Sequence, residues 1–211
     1  RLPEEKARGL TVDLGFAYNI LPDGGVLGFV DVPGHEKFIR NMLAGVAGID
    51  LALLVIAADD GVMPQTREHL AILDLLGIRN IIIVLTKIDR VAPEDLSAVS
   101  KQVNDFLKEQ GHRDHALYPV CAPKGIGIEA LKQELMFRAK YRKSKVVCGY
   151  FRMAIDRAFN LKGVGLIVTG MIFSGSVHNE QSLMLLSNGA SVRVREIRVH
   201  NQVRASAKAG E

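Results

Sequence analysis

The chain has 211 residues, 48% of them hydrophobic, which is ordinary for a globular protein and enough to bury one medium domain and a small one. No apolar run reaches membrane-spanning length, and two cysteines, Cys121 and Cys148, make neither a disulfide framework nor a zinc spacing, so a reducing, cytoplasmic address is expected. The net charge of +4 is uneven: residues 1–137 carry 14 basic and 19 acidic side chains, residues 146–211 carry 8 and 4, and the basic run from Arg138 to Lys145 lies between. A basic second half suits a polyanion such as RNA, and suits a solvated linker with ordinary surface equally well.

Residues 14–32 read as a hairpin, with Leu14–Ile20 and Val26–Val32 as strands around Pro22-Asp23-Gly24-Gly25. Phe38, Ile39, Met42, Leu43 and Val46 then recur at helical spacing. Leu51–Ala57 is a continuous apolar run, expected to be a strand buried on both faces. Pro64–Leu76 is an amphipathic helix between an initiating Pro and a terminating Gly77. Asn80–Leu85 and Leu117–Val120 follow as strands, and Pro93–Gln110 and Ile128–Phe137 as helices. This alternation predicts a parallel sheet covered on both faces. After about residue 145 the helical period is lost, and short Val-, Ile- and Phe-rich runs are punctuated by glycines, which predicts an antiparallel barrel. The basic stretch 138–145 is the expected boundary.

In an open α/β sheet, ligands bind beyond the carboxyl ends of the strands, and three short motifs fall there. Asp31-Val32-Pro33-Gly34-His35 ends the hairpin. Its Asp can hold Mg²⁺ through water, its Gly lets a backbone N–H approach a terminal phosphate, and His35 stands where an attacking water must be placed. Alone, such a D-x-x-G arises at many strand-to-loop turns. Thr86-Lys87-Ile88-Asp89 offers a carboxylate that can accept both N–H groups of guanine's edge and a lysine stem that can lie on a purine, although a loop with ordinary charges has the same look. Cys121-Ala122-Pro123 could contact the base carbonyl through its backbone, and alone means little. The order of the three, with 55 residues from Asp31 to Thr86, is what gives them weight.

With those residues the chain resembles the translational GTPases over essentially its whole length. Arg8-Gly9-Leu10-Thr11 is similar to their switch I, and Asp31 to Met42 resembles switch II. The run from Asp60 to His69 matches a stretch these factors share, and Phe151–Phe159 and Gly163–Gly170 resemble their second domain. The resemblance implies an α/β P-loop-type G domain at 1–140, a mostly parallel sheet with helices on both faces but with the first strand and P-loop missing. A partial antiparallel β-barrel, translation-factor domain 2, is implied at 146–211. GTP and Mg²⁺ are the implied ligands. Thr11, Asp31, Gly34, Thr86, Lys87, Asp89, Cys121 and Ala122 would bind the nucleotide, Thr11 and Asp31 (via water) the metal, and His35 would be catalytic.

Within that superfamily three features separate the chain from elongation factor Tu. Gly9 is followed by Leu10-Thr11-Val12-Asp13 where factor Tu has Ile-Thr-Ile-Asn, Glu36-Lys37-Phe38 stands in place of Ala-Asp-Tyr, and Thr86 replaces Asn. These residues, with Ile155-Asp156-Arg157-Ala158-Phe159, are similar to the selenocysteine-specific elongation factors. That resemblance implies delivery of selenocysteinyl-tRNA to the ribosome by a monomer without membrane contact, and an mRNA hairpin bound through domains beyond this chain. It also implies an aminoacyl pocket holding Asp13, Asp156 and Arg157, in which an Arg can tell an ionised selenolate from a hydroxyl. Asp156-Arg157 could instead be a plain ion pair on a barrel strand. An elongation factor Tu-like or initiation factor gamma-like GTPase, or a non-hydrolysing RNA- or ribosome-binding module, are the alternatives.

A G domain also needs a phosphate cradle of the form G-x-x-x-x-G-K-[ST], and no Gly-Lys dipeptide occurs in the sequence. The family places that loop upstream of switch I, so the start at Arg1 reads as an N-terminal truncation, the barrel as incomplete, and the chain by itself as a weak binder of GTP. Gly125-Ile126-Gly127-Ile128-Glu129-Ala130 fits a dinucleotide fingerprint but has no acidic residue about 20 positions on, which argues against that role.

Overall fold

A computed structural model describes residues 14–22, 24–39, 42–43, 49–113, 115–141 and 149–211. Strands β1 (Gly15–Ile20) and β2 (Val26–Asp31) pair antiparallel, from Gly15 opposite Asp31 to Ile20 opposite Val26. Gly24, at φ 82°, makes the turn that closes them. A 3-10 turn at Glu36–Phe38 follows, and Ile39, Met42 and Leu43 are helical as expected, with Met42 buried.

The parallel sheet is made of β3 (Ala52–Ala57), β4 (Ile81–Thr86) and β5 (Leu117–Pro119), in the order β3-β4-β5. Both faces of β4 are buried, which is why its run of aliphatic residues shows no alternation. One face packs Leu54, Ile56, Ile81, Ile83 and Leu85 against helices α1 (Pro64–Leu75) and α2 (Pro93–Glu109), through Leu70, Leu73, Val103, Phe106 and Leu107. The other packs Ile82, Val84 and Val120 against Leu131 and Leu135 of α3 (Ile128–Lys140). Helices therefore cover both faces.

Two local expectations need correction. Strand β3 is not buried throughout: Val55 is 58% exposed, because the core beneath α3 centres on β4 and β5 and takes only Leu51 and Leu53 from the β3 segment. Helix α3 ends at Lys140, three residues later than Phe137, so Arg138 and Lys140 are helical. Arg138 is held there by Glu134 one turn back, at 2.6 Å, and by the Asn80 side-chain oxygen. Arg138, and then the Tyr118 hydroxyl, keep the Glu134 carboxyl below the usual range against a burial effect of opposite sign, while burial and the same Glu134 push Tyr118 up.

The Gly-x-Gly between β5 and α3 has a purely conformational reason. Gly125 and Gly127 take φ of 68° and 73°, and a Cβ on Gly127 would be driven into the Pro119 carbonyl oxygen. Gly125 has open space around it. Gly127→Ala is therefore expected to destabilise by more than about 3 kcal/mol and Gly125→Ala by about 1–2 kcal/mol, read from urea unfolding midpoints. Equal losses would mean that the Pro119 contact counts for nothing.

Beyond residue 149 only antiparallel pairing occurs among the described residues. Strands β6 (Arg152–Leu161) and β7 (Gly165–Ser174) form a long ribbon, followed by β8 (Ser176–His178), β9 (Ser182–Met184), β10 (Ser191–Arg193), β11 (Ile197–Val199), β12 (Gln202–Arg204) and β13 (Ser206–Lys208). The pairs are β6-β7, β8-β13, β9-β10 and β11-β12, around a small core of Ile172, Val177, Ile197, Ala207 and Ala209. Opposite Gly170 and Thr169 stand Ile155 and Arg157, so Asp156 is the extra residue of a β-bulge. The structure has the architecture of a G domain with a partial second domain of antiparallel strands.

Candidate nucleotide-binding site

Parallel pairing brings the carboxyl ends of β3, β4 and β5 to one edge, with Ala57 beside Thr86 and Leu85 beside Pro119. Backbone bonds carry the alignment one residue further, from Ala58 N–H to the Thr86 carbonyl and from Val120 N–H to the Leu85 carbonyl, both 2.8 Å. The Thr86 hydroxyl donates to the Ile56 carbonyl at 3.3 Å. Three loops thus leave the sheet side by side: Asp59–Gly61, Lys87–Arg90 and Cys121–Lys124.

The middle loop is held from both sides. Lys124 lies 3.4 Å from Asp89, and the Cys121 thiol hydrogen-bonds the same carboxylate. Thiol and ammonium together keep the Asp89 carboxyl below the usual range, although partial burial works the other way, so it remains an acceptor of two N–H groups at neutral pH. On the opposite side Lys87 Nζ lies 3.2 Å from Asp59 and 3.5 Å from Asp60, and Arg90 reaches Asp59 at 3.0 Å. Burial would raise the Asp59 carboxyl, but its hydrogen bonds to Arg90 and Lys87 outweigh that and lower it. Thr86, Lys87, Asp89, Cys121 and Ala122 are consequently brought together. Asp59, Asp60, Arg90 and Lys124 were not singled out as site residues from the sequence, since their contacts join separate loops.

The switch-II-like segment is anchored elsewhere. Asp31 is the last residue of β2, with its carboxylate over Gly15, where a Cβ would stand 3.7 Å from Asp31 Oδ2. The Gly34 carbonyl accepts from His69 Nε2 of α1 at 3.0 Å. His35 Nδ1 accepts from the Lys37 N–H at 3.3 Å, and its ring meets Phe38 edge to face at 6.2 Å. Thr11, Asp13 and the rest of the switch I motif lie outside the described residues, as does Asn41. No group of three or more potential metal-ligating side chains occurs among the described residues. A lone carboxylate such as Asp31 is nonetheless compatible with Mg²⁺, which keeps most of its waters and takes one or two carboxylates with the substrate phosphates.

In the β6-β7 ribbon, Asp156 and Arg157 take different partners. The Thr169 hydroxyl donates to Asp156, whereas Arg157 donates to the Leu14 carbonyl at 2.9 Å and lies over the Phe16 ring. His200, in a two-residue turn with positive φ, packs against Tyr18 with ring centroids 4.6 Å apart and planes tilted at 52°, so β1 touches the antiparallel strands at two points.

The family described as elongation factor Tu GTP binding domain matches residues 1–141. The chain belongs to that family. Over all 211 residues it is 50% identical to the selenocysteine-specific elongation factor of Escherichia coli (strain K12), and it spans 34% of that protein's length. The crystal structure of a bacterial selenocysteine-specific elongation factor superposes on all of the chain with a TM-score of 0.92 at 36% identity, the match covering 36% of that structure's chain. Translation elongation factor SelB from Methanococcus maripaludis, in complex with the GTP analogue GppNHp, matches 95% of the chain at 33% identity with a TM-score of 0.87, over 44% of its own chain. The chain therefore spans about a third of the length of its bacterial relatives. Among the described residues no helix is long and apolar enough to cross a membrane.

Proposed function

We propose that the chain is the guanine-reading and tRNA-contacting part of a cytoplasmic elongation factor that hydrolyses GTP and delivers selenocysteinyl-tRNA to the ribosome. The observation that carries this reading is the 50% identity to a selenocysteine-specific factor over every residue of the chain, together with an edge geometry suited to a guanine nucleotide. Asp89 accepts the two N–H groups of the base edge, the Lys87 stem covers one purine face, and the backbone of Cys121 and Ala122 meets the base carbonyl. Gly34 presents its N–H to the γ-phosphate, and His35 orients the attacking water. Asp31 and Thr11 hold Mg²⁺, Asp31 through water; bound Mg²⁺ supplies neutralisation of phosphate charge. Asp13, Asp156 and Arg157 line the aminoacyl pocket, where a guanidinium favours a selenolate over a serine hydroxyl. An mRNA hairpin would be engaged by regions outside this chain.

The test is a binding comparison on the full-length natural protein in its GTP state. Selenocysteinyl-tRNA should bind at least about tenfold more tightly than the same tRNA charged with serine, the factor expected for one charge-assisted contact. Equal affinity for the two would defeat the selenocysteine assignment.

A further inference from the structure

The loop that carries Asp89 is fastened to the loop after β3 by the carboxylates of Asp59 and Asp60. Lys87 adopts φ 56°, a left-handed backbone that residues with a Cβ rarely take unless their surroundings hold them there. Its ammonium lies between Asp59 Oδ1 at 3.2 Å and Asp60 Oδ2 at 3.5 Å. The second oxygen of Asp59 accepts from Arg90 at 3.0 Å. Asp59 therefore grips both Lys87 and Arg90, which flank Ile88 and Asp89 in the 3-10 turn Ile88–Arg90. Its side chain is 24% exposed against 56% for Asp60, so Asp59 is the better shielded anchor and the less screened charge.

We infer that Asp59 is a positioning residue for guanine-nucleotide binding, acting through Lys87 and Arg90; this rests on the base-reading role proposed for that loop. With the ammonium held at Asp59, the lysine stem is stretched into a fixed apolar shelf for the purine, and the entropy of ordering a long side chain is met before the ligand arrives. Holding Arg90 at the same time fixes the turn that presents Asp89. Asp59 is not needed as a staple between the strands. β3 and β4 already share a six-residue parallel register, continued by the bond from Ala58 to Thr86, and the buried Ile56, Ile83 and Leu85 pack between them and the helices.

The experiment is fluorescent GDP binding by the full-length natural protein, unaltered and as Asp59→Ala, Lys87→Ala and the double variant. Asp59→Ala should weaken GDP binding at least about tenfold with an unchanged melting temperature, and that loss should shrink at least about threefold in the Lys87→Ala background. A role confined to folding would lower the melting temperature and act alike in both backgrounds. If Asp59→Ala does not fold, Asp59→Asn, which keeps the volume and one acceptor, is read in the same cycle. Tight GDP binding by Asp59→Ala, or a loss that does not shrink in the Lys87→Ala background, overturns the inference alone. Failure of the unaltered protein to bind GDP overturns the base-site reading and the inference with it.

Discussion

Replacing Asp89 with Asn should cost the full-length protein about 10²- to 10⁴-fold in affinity for guanine nucleotides and raise its affinity for xanthine nucleotides. A carboxylate only accepts, and guanine's edge offers two adjacent N–H donors; an Asn amide keeps one acceptor and sets an N–H₂ against the second donor. Losing a charge-assisted hydrogen bond of about 1.5–3 kcal/mol and leaving an unpaired donor beside another gives a change of that size. Xanthine carries a carbonyl where guanine has its amino group, so the same Asn pairs with it on both sides. Loss of the Lys124 ion pair adds little, because Lys124 is 59% exposed. Competition between GDP and XDP for a fluorescent nucleotide reads the switch. An unchanged preference for GDP would remove Asp89 from the base site.

His35→Ala should slow ribosome-stimulated GTP hydrolysis by about 10²- to 10⁴-fold while leaving nucleotide affinity within about twofold. Because Nδ1 accepts from the Lys37 N–H, the neutral ring keeps its proton on Nε2, where it can donate to the oxygen of a water. That tautomer orients a nucleophile and does not deprotonate it. Single-turnover hydrolysis on ribosomes measures the effect, and an unchanged rate would take His35 out of the mechanism.

Much of the sheet was legible because aliphatic runs bounded by Gly and Pro leave few alternatives: the strands ending at Ala57 and Thr86 and the helix stopped by Gly77 lie within a residue or so of their expected bounds. Val55 escaped, since a continuous apolar run says that a strand can be buried but not which neighbour arrives to bury it. The length of α3 escaped because its last residues look like a basic linker until Glu134 and Asn80 are seen beside Arg138. Gly125 and Gly127 matched a dinucleotide fingerprint for a reason unrelated to phosphate: a tight turn and the nearby Pro119 carbonyl make the same demand for glycine. At the candidate site, Thr86, Lys87, Asp89 and Cys121 could be named from strand-end position together with the order of the motifs and the family resemblance. Asp59 and His69 could not, because each acts across 28 to 35 residues on a backbone or side chain from another loop. The Arg157 contact with Leu14 spans 143 residues and has no local signal at all.

Asp59 holds the loop after β4, and His69 holds the carbonyl of Gly34, so the chain between them works as a ruler whose graduations are helical. Part of it is α1, where each added residue turns everything beyond it by about 100° and advances it by about 1.5 Å. Inserting a single residue after Pro64 would swing His69 off the Gly34 carbonyl while Asp59 stayed on Lys87. The number of residues between these two anchors is therefore fixed by the helix itself.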